Sequence, residues 1–285
     1  MKNVIHAVNK LINPIAGTVK CAYGKLHNSI TIMYLFLQSY LDCIEGAPNN
    51  IYGKYMMPFK KIYVLGAGAV GCFFGGILAR AGYDVTLIAR QDRAQAINQF
   101  GLELDCKTFR EVVQIKASSD LSLLSDADLI LLSVKSPDTE GIVREISPIV
   151  PAQAVIMSLQ NGVANVQIVK KHFTNPVYPA VVYVAAGMDG QRIMRHHGRG
   201  ELLVGTMDEV IEQDFKNLAL ICQLFESASI PCAIADDIKK HMWLKFLVNC
   251  SYNGISAIGH MPYGEMVSIQ EIKELINHIT KEFLV

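Results

Sequence analysis

Residues 61–90 read KIYVLGAGAVGCFFGGILARAGYDVTLIAR, and this stretch decides the fold. An apolar run, Ile62 to Leu65, meets Gly66-Ala67-Gly68-Ala69-Val70-Gly71, and an Ala/Gly/Leu-rich stretch of helical length follows. A second alternating apolar run, Asp84 to Ala89, ends on Arg90. Strand, glycine turn, helix and strand make one βαβ unit. Gly66 permits the tight turn, Gly68 lets the backbone approach a pyrophosphate, and Gly71 lets the helix lie against the strand. The helix start adds free N–H groups and a positive dipole end for phosphates. A bare GxGxxG is a weak signal, but the correct elements on both sides make this one a dinucleotide site. The turn from Gly66 through Ala67, Gly68, Ala69 and Val70 to Gly71 is the expected contact surface.

The end of the second strand selects the cofactor. Units that bind NAD place an acidic residue there for the ribose 2′-hydroxyl. This chain has Arg90, with Arg93 three residues on, and the acid of the strand run itself, Asp84, stands at its wrong end. A guanidinium suits a 2′-phosphate through charge-assisted, bidentate hydrogen bonds, so the expected cofactor is NADPH. The plainer alternative is a solvated arginine on a βα loop.

With 285 residues the chain has room for about two domains. Half of it is apolar, and 26 basic residues balance 26 acidic ones. No nucleic-acid surface, acidic tail or wholesale disorder is indicated. Seven cysteines are scattered without a CxxC pair, which reads as reduced thiols in a cytoplasmic protein with no zinc site or disulfide frame. His196-His197 lacks further ligand-type residues at metal spacing, so no metal is expected.

Residues 1–59 hold five lysines, no arginine and two acids, without sustained periodicity. Their apolar run from Ile30 to Leu41 falls short of the roughly 20 residues that span a bilayer, and no membrane association is expected. The segment reads as an appendage, with an interaction helix around 29–43 as the rival reading.

Further on, a short helix is expected at 92–99, then strands at 101–104 and 111–115. Asp128 to Val134 (DLILLSV) and Ala154 to Leu159 (AVIMSL) read as parallel strands covered on both faces. Ser136-Pro137-Asp138 reads as a helix start with Ser136 as N-cap. Strands at 177–185 and 201–204, a helix at 209–227 and a strand at 231–235 complete a domain spanning 60–235. Ligands bind beyond the carboxyl ends of such strands. Lys135 and Asn161 both fall there, beside the glycine turn, although each singly matches ordinary loop chemistry.

Asp237 to Ile258 (DIKKHMWLKFLVNCSYNGISAI) reads as one long helix capped by Asp237. From Met242 on almost every position is apolar or small, which predicts burial on most sides. Lys245, Asn249 and Asn253 interrupt it at i, i+4 and i+8, within roughly 80° of arc. Such a stripe either faces a ligand cleft or forms an internal hydrogen-bond network.

These residues together resemble the ketopantoate reductases (2-dehydropantoate 2-reductases), NADPH-dependent enzymes of pantothenate biosynthesis. The resemblance rests on GAGAVG with Arg90, Lys135 after its strand, Gln160-Asn161-Gly162, His197-Gly198-x-Gly200 and Lys245-x3-Asn249-x3-Asn253, in the correct order from 61 to about 258. It implies a Rossmann-type doubly wound parallel sheet followed by an all-helical domain, here residues 236–285, with the active site between them. By the same resemblance Lys245 is the catalytic acid at the ketone oxygen. Asn161 holds cofactor and substrate in register, Asn249 and Asn253 bind the substrate's hydroxyl and carboxylate end, and Lys135 lies near the nicotinamide.

The family also uses a serine and a glutamate on helices well downstream of the lysine helix, and Val285 stands only 40 residues past Lys245. Neither role is transferred, and the chain reads as a C-terminally truncated member. The expected partner is a small 2-oxo acid, with no nucleic acid; a homodimer is allowed but not required. A same-fold reductase for another 2-oxo acid and a non-catalytic NADP(H)-binding regulator stand as alternatives.

Overall fold

The computed structural model describes residues 59–283. The appendage expected over residues 1–59 lies outside the described residues except for Phe59, which is buried in the main core.

The opening unit forms as its sequence dictates. Strand β1 (Ile62–Leu65) passes through the glycine turn into helix α1 (Ala69–Arg80), and β2 (Val85–Ile88) returns parallel to β1. Helix α2 (Gln91–Phe100) and strands β3 (Leu102–Cys106), β4 (Arg110–Val113) and β5 (Lys116–Ser118) follow. Next come β6 (Leu129–Leu132), helix α3 (Thr139–Ile146), β7 (Val155–Ser158) and helix α4 (Asn165–Lys170). A long hairpin, β8 (Val177–Asp189) and β9 (Ile193–Val204), leads to α5 (Glu212–Ser227) and β10 (Cys232–Ile234).

The strands form one ten-stranded sheet, ordered β4-β3-β9-β8-β7-β6-β1-β2-β5, with β10 alongside β9. From β8 to β5 every pairing is parallel. Strands β8 and β9 pair antiparallel, and β9 pairs parallel with β3, which carries the sheet around α1. This helix is therefore enclosed, with Gly71 through Leu78 all buried. Enclosure demands small residues: a Cβ on Gly76 would stand 2.7 Å from Leu104 and 2.9 Å from Leu102. Its large side chains fill the interior, and losing one such as Phe74 would cost about 3–5 kcal/mol. Helices α3 and α4 cover the opposite face of the parallel half, where Val143, Ile146, Val166 and Val169 pack on Leu65, Ile130 and Leu132.

Three sequence expectations are corrected here. The strands expected at 177–185 and 201–204 run on to Asp189 and begin at Ile193, through the polar run RHHGRG. Strand β5, only three residues long, was not anticipated; it extends the sheet beyond β2. Ser136 is not an N-cap: residues Ser136–Asp138 form a 3₁₀ turn before α3, and the Ser136 hydroxyl accepts from Asn165 instead.

Beyond the sheet, helix α6 (Ile238–Gly259) is capped by Asp237, which accepts from the Lys240 N–H at 3.1 Å. Ile238 and Met242 anchor it on Val181. A short helix α7 (Tyr263–Met266) and helix α8 (Gln270–Phe283) follow, and Phe283 packs with Trp243 and Phe246 at ring-centre distances of 5.8 and 6.0 Å. The burial expected along α6 is not found. Trp243, Leu244 and Val248 are about half exposed and Ile258 is 85% exposed, because among the described residues α6 packs chiefly on β8, α7 and α8 and mainly through its first turns.

Candidate active site

The glycine turn has the geometry a dinucleotide requires. Gly66 holds φ +109°, and a Cβ there would lie 2.6 Å from the Val134 nitrogen. On Gly71 a Cβ would come within 2.2 Å of the Gly66 carbonyl oxygen. Gly68 differs, since its Cβ would meet nothing within 4 Å. Its missing side chain therefore serves no internal packing; it leaves room on the outer side of the turn, where a pyrophosphate would approach the backbone. Ser133, at the end of β6, donates to the Gly66 carbonyl at 2.7 Å and ties the turn to the neighbouring strand.

Arg90 is exposed at the end of β2, immediately before α2. Asp84 is engaged elsewhere, accepting from Lys61 at 2.6 Å and Lys116 at 2.9 Å. The position directly after β2 thus belongs to Arg90, while Asp92, in the first turn of α2, accepts from the Gln191 side chain at 2.9 Å. Arg93, in the first turn of α2, holds a buried Nη1 with no hydrogen-bond partner among the described residues.

The loops after β6 and β7 are joined by a polar network that sequence reasoning missed. Gln160 donates to the Val134 carbonyl at 2.9 Å and to the Thr139 hydroxyl at 2.7 Å. Buried Asn165 donates to the Asn161 carbonyl at 2.8 Å and to Ser136 at 3.1 Å. Buried Thr139 donates to the Asn165 Oδ1 at 3.3 Å. Two buried polar side chains after an apolar strand were the available signal, because buried polar groups demand partners.

Asn161, Lys245, Asn249 and Asn253 line one cleft of about 500 Å3, together with Val70 beside the glycine turn and Tyr183 on β8. The i, i+4, i+8 stripe of α6 thus faces the carboxyl end of the sheet. Lys135 is exposed at the end of β6 and is not among the residues lining this cleft. Asn253 accepts a hydrogen bond from the Tyr263 hydroxyl. Lys245 donates to the Val182 carbonyl, and its Nζ lies 5.6 Å from the centre of the Tyr183 ring. Burial, and then the nearby charge of Arg199, bring its pKa from the ordinary 10.5 down to about 8. The ammonium is therefore a readier proton donor than a solvated lysine, and among the described residues no carboxylate pairs with it. Among the described residues no cluster of three or more His, Cys, Asp or Glu side chains is arranged to hold a metal ion, and no helix is long and apolar enough to cross a membrane.

A glycine turn entering a helix, facing a cleft that a second helix supplies with a half-buried lysine, defines a Rossmann-type oxidoreductase. The chain belongs to the ketopantoate reductase PanE/ApbA family, whose model matches residues 62–209, with the family's C-terminal model matching 237–285. The 2-dehydropantoate 2-reductase of Archaeoglobus fulgidus is 27% identical over 226 residues, 79% of this chain and 73% of the relative. The crystal structure of a PanE/ApbA family ketopantoate reductase from Ralstonia eutropha JMP134 superposes with a TM-score of 0.72 at 39% identity, covering 79% of this chain and 72% of that one. A D-mandelate dehydrogenase solved with NADH and anilino(oxo)acetate shares the fold, with a TM-score of 0.72 at 22% identity over 78% of this chain and 72% of that one.

Proposed function

We propose that the protein reduces a 2-oxo acid with NADPH, and that the substrate is 2-dehydropantoate, reduced to pantoate. The observation that carries this reading is Lys245: a half-buried ammonium with a pKa near 8, in a cleft that it shares with three amide side chains and the end of the glycine turn. When bound, the nicotinamide supplies the hydride. The rest falls to the chain. Gly66 to Gly71 and the start of α1 hold the pyrophosphate, Arg90 pairs with the 2′-phosphate, and Lys135 stands near the nicotinamide side. Negative charge grows on the ketone oxygen as it is reduced. Lys245 exchanges its Val182 contact for that oxygen and gives it a proton. Asn161 keeps substrate and cofactor in register, while Asn249 and Asn253 bind the hydroxyl and carboxylate end. Residues 60–235 are then the cofactor domain and 236–285 the substrate-facing helical part. The names of the relatives favour 2-dehydropantoate among 2-oxo acids.

The test is NADPH oxidation by the protein against a panel of 2-oxo acids, with Lys245→Ala beside it. Fastest turnover with 2-dehydropantoate, and a loss of about 100-fold or more in the variant, are expected. A different best substrate would reassign the specificity. Equal turnover by the variant would remove Lys245 from the chemistry.

A further inference from the structure

We propose that Arg199 binds the carboxylate of the 2-oxo acid, as a substrate-binding residue in the cleft that holds Lys245. The proposal rests on the reductase reading above and adds to it the group that recognises the acid.

The argument begins with the backbone. Strand β9 does not run evenly against β8: Tyr183 faces Glu201, but Val184 faces Arg199, so Gly200 is an extra residue. Arg199 itself takes φ +61°, between Gly198 and Gly200, both at +145°. Bulges redirect side chains, and a non-glycine residue with positive φ persists only where its surroundings enforce it. The enforcing contacts are present. The His196 Nε2 lies 2.6 Å from the Arg199 carbonyl oxygen, which can only accept, so that nitrogen carries the proton. The His196 ring rests on Phe73, with centres 4.6 Å apart.

The redirected guanidinium lies over the Tyr183 ring, 4.3 Å from its centre. That ring also carries Lys245, and all three residues line the same cleft. Glu201 anchors the near side of the fork, accepting from Arg199 Nε at 3.0 Å and from the Gly200 N–H at 2.7 Å. Both carboxylate oxygens of Glu201 are thereby engaged. The two Nη groups of Arg199 have no hydrogen-bond partner among the described residues. They form the planar pair of donors that matches a carboxylate.

Chemistry explains why two cations are needed. In a 2-oxo acid the carboxylate and the ketone occupy adjacent carbons. If Lys245 were the only cation, the carboxylate would pair with it and draw it from the ketone oxygen. Arg199 takes the permanent charge and leaves Lys245 for the charge that develops during reduction. The other polar groups of the cleft named above, Asn161, Asn249 and Asn253, are neutral amides.

The test compares Arg199→Gln and Arg199→Lys with the unaltered chain, using a 2-oxo acid and its methyl ester. In Arg199→Gln the KM for the acid should rise about 10- to 100-fold, as for lost hydrogen bonds to a charged group. At a pH well below 8, where Lys245 is charged with or without Arg199, the KM for the ester should stay nearly constant, and Arg199→Lys should recover part of the loss for the acid. A rise shared by acid and ester, or no rise, would overturn the proposal. A second arm needs no turnover: oxamate is titrated against the protein with NADPH present. Its affinity should fall by a similar factor in Arg199→Gln, and unchanged affinity would count against Arg199 even in an active enzyme. An inactive chain that binds oxamate through Arg199 would instead reject the reductase reading and leave the carboxylate site standing.

Discussion

Asn165 donates through its side-chain amide to the backbone carbonyl of Asn161 at 2.8 Å, so a buried residue of α4 fixes the turn that brings Asn161 to the cleft. Asn165→Val keeps the approximate shape but leaves that carbonyl and the Ser136 and Thr139 hydroxyls without this partner. Stability should fall by about 1–3 kcal/mol, the cost of leaving a buried polar group unsatisfied. Urea denaturation measures it. An unchanged midpoint would show that the network contributes nothing to folding.

Gly68→Ala separates cofactor binding from folding. Its new methyl group would touch no protein atom within 4 Å, and φ there is −81°, so the melting temperature should hold. NADPH affinity should drop at least about tenfold, because the methyl occupies the space through which a pyrophosphate meets the turn. Gly71→Ala, which would bring a Cβ to 2.2 Å from the Gly66 oxygen, should instead destabilise the fold itself. Undiminished NADPH binding by Gly68→Ala would place the phosphates elsewhere.

The lowered pKa of Lys245 has two signatures of opposite sign. As proton donor it must be charged, so turnover should decline as pH rises through about 8. Stability runs the other way. Between about 8 and the ordinary lysine value of 10.5, the unfolded chain binds more protons than the folded one, so this residue makes stability rise with pH across that window and leaves it flat below. Lys245→Met should abolish both effects. Denaturation curves of the two proteins at pH values on either side of the window, beside pH–rate profiles, would reveal any mismatch.

Arg90→Glu should weaken NADPH binding by about 1.5–3 kcal/mol while NADH binding holds or improves, as expected when a charge-assisted partner of the 2′-phosphate is lost. Fluorescence titration with each cofactor gives the comparison. Equal losses for both would reject Arg90 as the phosphate reader.

The readable parts of the sequence were those where one local requirement forces one residue type. The glycine turn, the capping of α6 by Asp237 and the polar stripe on that helix are of this kind, and the structure brings the stripe and Asn161 to one cleft. The β8–β9 hairpin was only half legible, since its second strand runs through RHHGRG, a polar segment partly facing solvent, with two register shifts. Its alternation is broken where Arg199 is redirected, so the residue best placed to meet a carboxylate was hidden by the irregularity that places it. The exposure along α6 was also invisible, because an apolar helix announces that it can be covered and not what covers it.

Trp243, the sole tryptophan of the chain, stands two residues before Lys245 and meets Phe246 and Phe283 edge to face. Selective excitation of the indole therefore illuminates α6 and its junction with α8, while the whole sheet stays dark. Nicotinamide absorbs where indole emits, so a bound NADPH would quench that emission by resonance energy transfer. Cofactor occupancy and the integrity of the helical layer can thus be followed in the same cuvette, in the unlabelled protein.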